Sequence, residues 1–260
     1  MGATIAVLSQ KGGTGKTTTV RTLADVLRRV GLGVLVVDLD PQGNLSDYFD
    51  VDPEASPTVG DVLSGRADAC AAVFDGIMPA NLSLAEAELT LVGKMGRELT
   101  LKRALAPLRG DYDLILLDCP PSLGLLTVNA LVAADHALLT TEAQYFALQG
   151  VEQALEVIEL ARDGLNPQLG WLGVVFNIAD MRTRHSRESY ATLREHIGEK
   201  LFRATVRQSI AYAESAELAI SILDHRPDLG ADYLVLADEL LERLKMPDPR
   251  VRLKALIDRG

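Results

Sequence analysis

Gln10-Lys11-Gly12-Gly13-Thr14-Gly15-Lys16-Thr17-Thr18 is the stretch from which the rest of the chain can be read. Three glycines in four positions let a backbone fold tightly enough for its N–H groups to converge on an anion. The general phosphate-loop pattern is glycine, four residues, then Gly-Lys-Ser/Thr. In that frame the first glycine falls on Gln10, and a lysine follows at position 11. What remains is the variant Lys-Gly-Gly-Thr-Gly-Lys-Thr-Thr, and it still meets the physical requirements. A helix starting near Lys16 adds its positive N-terminal end. Lys16 reaches β- and γ-phosphates as a point charge, and the Thr17 hydroxyl suits Mg²⁺.

The flanking sequence supports this reading. Thr4–Ser9 is a short apolar run consistent with a buried strand, and Val20, Leu23, Ala24, Leu27 and Val30 recur at helical spacing up to Gly31. Further strands are predicted at Val34–Asp38, Tyr112–Asp118, Ala137–Thr141 and Trp171–Asn177. Helical patterns lie between them, most clearly Leu148, Val151, Leu155 and Ile158. Tyr233, Leu236, Ala237, Leu240, Leu241 and Leu244 mark a final helix, ended by Pro247 and Pro249. The alternation implies an α/β fold: a mostly parallel β-sheet with helices on both faces, in the manner of P-loop NTPases. We expect one domain over 1–260, with 247–260 as a short tail. The weak periodicity of Asp50–Thr100 assigns no element there.

Composition narrows the classes. The chain has 260 residues, 48% of them hydrophobic and 24% charged, enough for a core without staples. Cys70 and Cys119 make neither a disulfide framework nor a metal site, which fits a reducing, cytoplasmic setting. Met1–Ser9 has no signal-type leader, and no apolar run approaches the ~20 residues of a membrane span. A formal charge of −10 argues against indiscriminate nucleic-acid binding.

Two more blocks, Val37-Asp38-Leu39-Asp40-Pro41-Gln42-Gly43-Asn44 and Leu117-Asp118-Cys119-Pro120-Pro121-Ser122-Leu123-Gly124, stand at predicted strand ends. With the phosphate loop, and with Tyr145–Gly150 and Asp180–Thr183, they resemble the ParA/MinD family of deviant Walker A ATPases, more closely its small chromosome-partitioning, Soj-like members. The resemblance implies ATP and Mg²⁺ as ligands, held by residues Lys11, Gly12, Gly13, Thr14, Gly15, Lys16, Thr17 and Thr18. It implies catalytic roles for Lys11, Lys16 and Asp40. Lys11 would cross a homodimer interface to the partner's phosphates, and Asp40 would orient the attacking water, with a water-mediated link to the metal. Asp118, after an apolar run, would hold Mg²⁺ directly or through water, together with Thr17. Asp38 would support the loop. Pro120, Pro121 and Gly124 would form a stiff γ-phosphate sensor. Asn177 is read either as an adenine contact or as a turn former, and Cys119 as packing beside the site.

A local charge reversal is the second informative feature. Asp180–Ile210 carries Arg182, Arg184, Arg187, Arg194, Lys200, Arg203 and Arg207 against Asp180, Glu188, Glu195 and Glu199, a net +3 in an acidic chain. Such a cluster reads as a face for nonspecific DNA, with Arg182, Arg184, Arg187, Arg194, Arg203 and Arg207 as contacts, or as the solvated side of a surface helix. The resemblance implies an arginine, usual in Soj-like proteins, where this chain has Ile210-Ala211-Tyr212-Ala213-Glu214-Ser215; its absence implies weaker DNA affinity or the use of Arg203 and Arg207 instead. The expectation is a nucleoid-associated partitioning or positioning ATPase, stimulated by a ParB-like or analogous adaptor. The absence of a helix-turn-helix before Thr4 disfavours a self-repressing plasmid regulator. A MinD-like membrane switch is the alternative, but Val251–Ile257 is a short anchor without aromatics. Iron-protein reductases and biotin-pathway ligases form a third class. The first needs bridging cysteines, and the second has no need of Lys11.

Overall fold

The computed structural model describes residues 2–144 and 147–257. All five expected strands are present: β1 (Ala3–Leu8), β2 (Val34–Asp38), β4 (Leu114–Asp118), β5 (His136–Glu142) and β6 (Gly170–Ala179). Two more join them, β3 (Ile77–Met78) and β7 (Leu201–Arg207). Every pairing is parallel, in the order β3-β2-β4-β1-β5-β6-β7. The helices are α1 (Lys16–Arg29), α2 (Asn44–Tyr48), α3 (Val59–Ser64), α4 (Ser83–Val92), α5 (Thr100–Leu105) and α6 (Leu125–Ala133) in the first half. Then come α7 (Ala147–Gly164), α8 (Arg184–Ile197), α9 (Ala211–Glu217), α10 (Ile222–His225), α11 (Pro227–Arg243) and α12 (Pro247–Ile257).

The central strands β1, β2 and β4 are almost wholly apolar because both sheet faces are covered there. Ala6, Leu8, Leu35, Val37, Ile115 and Leu117 pack with α3 to α8 on one side. Their neighbours Ile5, Val7, Val34, Val36, Leu114 and Leu116 pack with α1, α11 and α12 on the other. The segment that lacked periodicity, 50–100, folds as short helices around β3. Thr58 and Asp61 form a capping box at the start of α3, the Asp61 carboxylate accepting from the Thr58 N–H at 2.8 Å. Of the stretch Tyr145–Gly150, the first two residues lie outside the described residues, and Ala147 opens α7.

One expectation is corrected, and one charged run proves to be a strand. Pro247 and Pro249 do not close the last helix: α11 ends at Arg243, and Pro247 opens α12. Proline costs nothing in a first turn, where its missing N–H has no partner to lose. The tail is therefore packed structure, with Leu253 buried and Arg250 bonded to Asp238 and Glu242. The run Leu201–Arg207, read as part of a charged patch, is an edge strand that alternates buried Phe202, Ala204 and Val206 with outward Arg203 and Arg207.

Glu239 on α11 secures that edge. It is buried, accepts from the Arg203 N–H at 2.9 Å and the Ala204 N–H at 3.2 Å, and pairs with Arg243 at 2.7 Å. Removing one member of a buried pair leaves the other uncompensated. Glu239→Ala is therefore expected to lower the unfolding free energy by about 3 kcal/mol in urea titration, with Glu239→Gln losing less because it keeps an acceptor for the strand.

Candidate phosphate-binding site

Parallel strands end together, so residues far apart in sequence meet on one edge of the sheet. Asp38 ends β2 and Asp118 ends β4, and the two are register partners. Val7, two residues before Ser9, is the partner of Asp118 on the other side. Between β1 and α1 runs the glycine loop, with Gly13 at φ +76° and Gly15 at φ +78°. Both lie in the left-handed region that glycine tolerates.

Lys16 opens α1 and is only 6% exposed. Its Nζ donates to Ser9 Oγ at 3.0 Å and to the Lys11 carbonyl at 3.3 Å. Burial lowers its pKa, and the charge of Asp118 works in the opposite direction. Thr14 donates to Ser9 Oγ at 2.9 Å and meets Thr140 Oγ1 at 3.0 Å, tying the loop to β5. Lys11, Gly12 and Gly13 are exposed. Lys11 lies near Glu142, whose carboxyl is raised by burial against the opposing pull of that lysine. Asn177, at the carboxyl end of β6, is buried and donates to the Thr14 carbonyl at 2.8 Å and Thr19 Oγ1 at 3.1 Å.

The two aspartates differ in their surroundings. Asp38 accepts from the N–H groups of Asp40 and Ser46 at 3.0 Å each, and from Ser46 Oγ at 2.8 Å. Ser46 Oγ in turn accepts from the Ala80 N–H at 2.9 Å. Asp38 thus holds the Asp40–Ser46 loop, the supporting role expected of it. Burial raises it to about 6 in spite of these bonds. Asp118 is 1% exposed, and neither carboxylate oxygen has a hydrogen-bond partner among the described residues. The Thr17 hydroxyl is near enough to pull its pKa down, without the geometry of a full bond, and Lys16 acts in the same direction. Burial dominates, the charge of Asp38 adds to it, and Asp118 is pushed up to about 8. An unsatisfied buried carboxylate is costly unless a cation meets it. Asp118 and Thr17 therefore fit the oxygen ligands that Mg²⁺ takes. Cys119 is buried beside them, and burial raises its thiol well out of the reactive range.

Asp40 is half-buried, its Oδ1 accepting from the Gln42 N–H at 3.0 Å, and it borders an open cleft of about 930 Å³. The same cleft is bounded by Gly12, Lys16, Thr17, Pro121 and Asn177. Tyr48, Tyr212, Tyr233, Gln208 and Ile210 line it as well. The size suits a small-molecule ligand. The sequence did not single out Ser9, Ser46, Thr140 or the tyrosines. A lone serine or tyrosine carries no spacing signal.

Of the arginines, Arg207 lines this cleft, and most of the cluster is paired with acids. Arg182 pairs with Asp180 at 2.9 Å, Arg184 with Glu188 at 2.6 Å and Arg194 with Glu199 at 2.7 Å. Arg203 reaches Glu242 at 2.9 Å, and Arg207 reaches Asp232 at 2.9 Å, both on α11. Arg187 donates to the carbonyls of Arg182 and Met181 at 2.7 and 3.1 Å.

A glycine loop between a central parallel strand and a helix, with a buried lysine and an aspartate at the neighbouring strand's end, defines a P-loop protein of the nucleoside-triphosphatase class. A family model described as an AAA domain matches residues 2–171. The chromosome-partitioning ATPase Soj of Thermus thermophilus is 40% identical, the alignment covering 93% of this chain and 96% of that protein. The cobyrinic acid a,c-diamide synthase of Mycobacterium smegmatis, solved with bound ADP and magnesium, superposes with TM-score 0.83 at 36% identity over 95% of this chain and 97% of that one. The septum site-determining protein MinD of Pyrococcus horikoshii, complexed with Mg-ADP, does so with TM-score 0.78 at 25% identity over 95% and 99%. The chain belongs to the Soj/ParA family of AAA-domain P-loop proteins.

The raised Asp118 gives a pH test. Between the ordinary carboxylate pKa of about 4 and about 8, the folded protein holds a proton that the unfolded chain has released. That contribution to stability is lost as pH rises across this interval. Asp118→Asn should flatten the decline, so thermal melts of the nucleotide-free proteins from pH 5 to 8.5 should show the variant gaining on the parent as pH rises. A constant difference across the range would contradict the raised pKa.

Proposed function

We propose that this chain is a Mg-ATP-dependent ATPase of the ParA type, positioning a chromosome, plasmid or other cargo. The observation that carries the reading is the buried Asp118 carboxylate, unpartnered among the described residues, beside Thr17 and Lys16 in a loop that also bears Lys11. The solved neighbours named above hold ADP and magnesium, and the same ligands suit these residues. Thr17 and Asp118 would hold Mg²⁺, which supplies positive charge against the phosphate oxygens. Lys16 exchanges its bonds to Ser9 and the Lys11 carbonyl for β- and γ-phosphate oxygens. Asp40, its backbone fixed by Asp38, presents a carboxylate at the cleft to orient water. Lys11, on the exposed outer turn, serves a second copy of the chain by the family resemblance, so that ATP binding and dimer formation are one event. The partitioning relatives, at 35–40% identity over 92–94% of this chain, favour a partitioning ATPase.

In this reading the ATP dimer binds DNA without sequence preference, and an adaptor of ParB type stimulates hydrolysis. Exposure weights the arginines unequally. Arg203 and Arg207 are held by acids of α11, whereas the side chains of Arg182 and Arg184, paired only with their near neighbours Asp180 and Glu188, are 92% and 85% exposed at the start of α8, beside exposed Arg187. Exchanging a carboxylate for a phosphate gains little at each arginine, so binding should need two copies and low salt. Membrane attachment is less well supported: no helix among the described residues is long and apolar enough to cross a bilayer, and α12 is pinned to α11 through Arg250 and Leu253.

Lys16→Ala should weaken Mg-ATP at least about 100-fold, equivalent to ~3 kcal/mol, in nucleotide titration. Near-native affinity would sink the phosphate-site assignment. Asp40→Ala should bind ATP, dimerise and stall, while Lys11→Ala should bind ATP and remain monomeric; size-exclusion chromatography in ATP separates the two. On the stalled Asp40→Ala dimer, replacing Arg182, Arg184 and Arg187 by alanine should reduce DNA affinity alike on all sequences. It should also flatten the dependence on salt, the log–log slope falling by about 0.9 for each phosphate that is no longer neutralised. No ATP-dependent DNA affinity at low salt would remove the DNA carrier role.

A further inference from the structure

The Asn177 side chain is 1% exposed, and its amide nitrogen lies 2.8 Å from the Thr14 carbonyl, 3.5 Å from the Gly15 carbonyl and 3.1 Å from Thr19 Oγ1. Carbonyl oxygens only accept, so the amide must face the loop with its nitrogen and not its oxygen. Gly15 makes this approach feasible. A β-carbon there would sit 2.9 Å from the same nitrogen, at a φ of +78° that side chains avoid. The Thr14 hydroxyl is bonded to Ser9 and Thr140. The middle of the loop is thus tied to the ends of three successive strands, β1, β5 and β6. Its outer turn, Lys11–Gly13, is exposed.

A loop with three glycines has the largest conformational freedom to lose when its N–H groups converge on phosphate. A bond that restrains the loop beforehand reduces that loss at binding. We propose that Asn177 is a positioning residue for the polyphosphate, acting through the shape of the loop. The proposal rests on the ATP reading above and deepens it, because it assigns a β6 residue to phosphate affinity. A role confined to the nucleoside would leave the phosphate loop indifferent to Asn177. Its two hydrogen bonds at 2.8 and 3.1 Å are both to the loop and the helix that follows.

The test compares Mg-ATP with Mg-tripolyphosphate, a probe that has the phosphates and no nucleoside. Both are titrated calorimetrically into the wild type, Asn177→Ala and Thr19→Val, alongside backbone hydrogen exchange of Gly12–Thr17 without ligand. The expected result is a loss of about 10-fold for both ligands in Asn177→Ala, the order of losing one or two neutral hydrogen bonds. Loop exchange should be faster as well. Thr19→Val keeps the bond to Thr14, so a smaller loss, equal for the two ligands, is expected, and it covers the case in which Asn177→Ala does not fold. The proposal is overturned if the variants lose ATP affinity and bind tripolyphosphate like the wild type, or if loop exchange is unchanged. A wild-type protein that binds neither ligand overturns the ATP reading itself, whatever the exchange data show.

Discussion

Asp38 and Asp118 face each other across two neighbouring parallel strands, and both carboxyl groups are inside the protein. Two negative charges so placed repel each other in a medium that screens them poorly. The surrounding structure treats them differently. Asp38 is surrounded by donors from the Asp40–Ser46 loop, which fixes that loop's path. Asp118 has no such donors and faces Lys16 and Thr17 instead. The site is therefore built with a deficit of positive charge on one side, where Mg²⁺ would sit. On the other side it holds a lysine whose charge burial disfavours and whose present bonds are to neutral oxygens. Anionic phosphate and a divalent cation relieve both conditions together.

That arrangement also couples the loop carrying Asp40 to the rest of the fold. Through Asp38 and Ser46 the loop is tied to the Ala80 N–H, next to β3 and the start of α4. Through α2 it reaches Tyr48, which donates to the Tyr212 carbonyl at 2.9 Å, both residues lining the cleft. A shift in the Asp40 loop would therefore be felt at β3 and at Tyr212, through a continuous set of bonded groups.

The charged stretch 180–210 shows how far a charge count goes. Its +3 excess is real as composition, yet five of its arginines have carboxylate partners within 3 Å. Exposed pairs of this kind add little stability. They do set the surface potential, and here they mute it. Arg203 and Arg207 are the outward positions of an edge strand that α11 covers with Glu239, Glu242 and Asp232. Covering an edge in this way blocks further strand addition.

The sequence by itself determined the α/β class, five of the strands to within two residues at either end, the phosphate loop and the chemical identity of its lysines and Thr17. Those are local signals: apolar runs long enough to be buried, glycines at fixed spacing, an aspartate after an apolar strand. It left out β3 because two residues carry no pattern, and β7 because its arginines mask a period of two. It also read Pro247 as an end and not a beginning, since proline marks either boundary. Only the tertiary structure decided that Asn177 holds the phosphate loop, that Ser9 receives Lys16, that Asp38 is satisfied while Asp118 is not, and that most of the arginines are matched by acids. The Asn177 contact depends on which strand ends lie side by side, whereas Ser9 with Lys16 and the pairs of Arg182, Arg184 and Arg194 join near neighbours whose side chains only the folded backbone turns toward each other. Parallel register brings together residues more than a hundred positions apart, and no spacing along the chain records that.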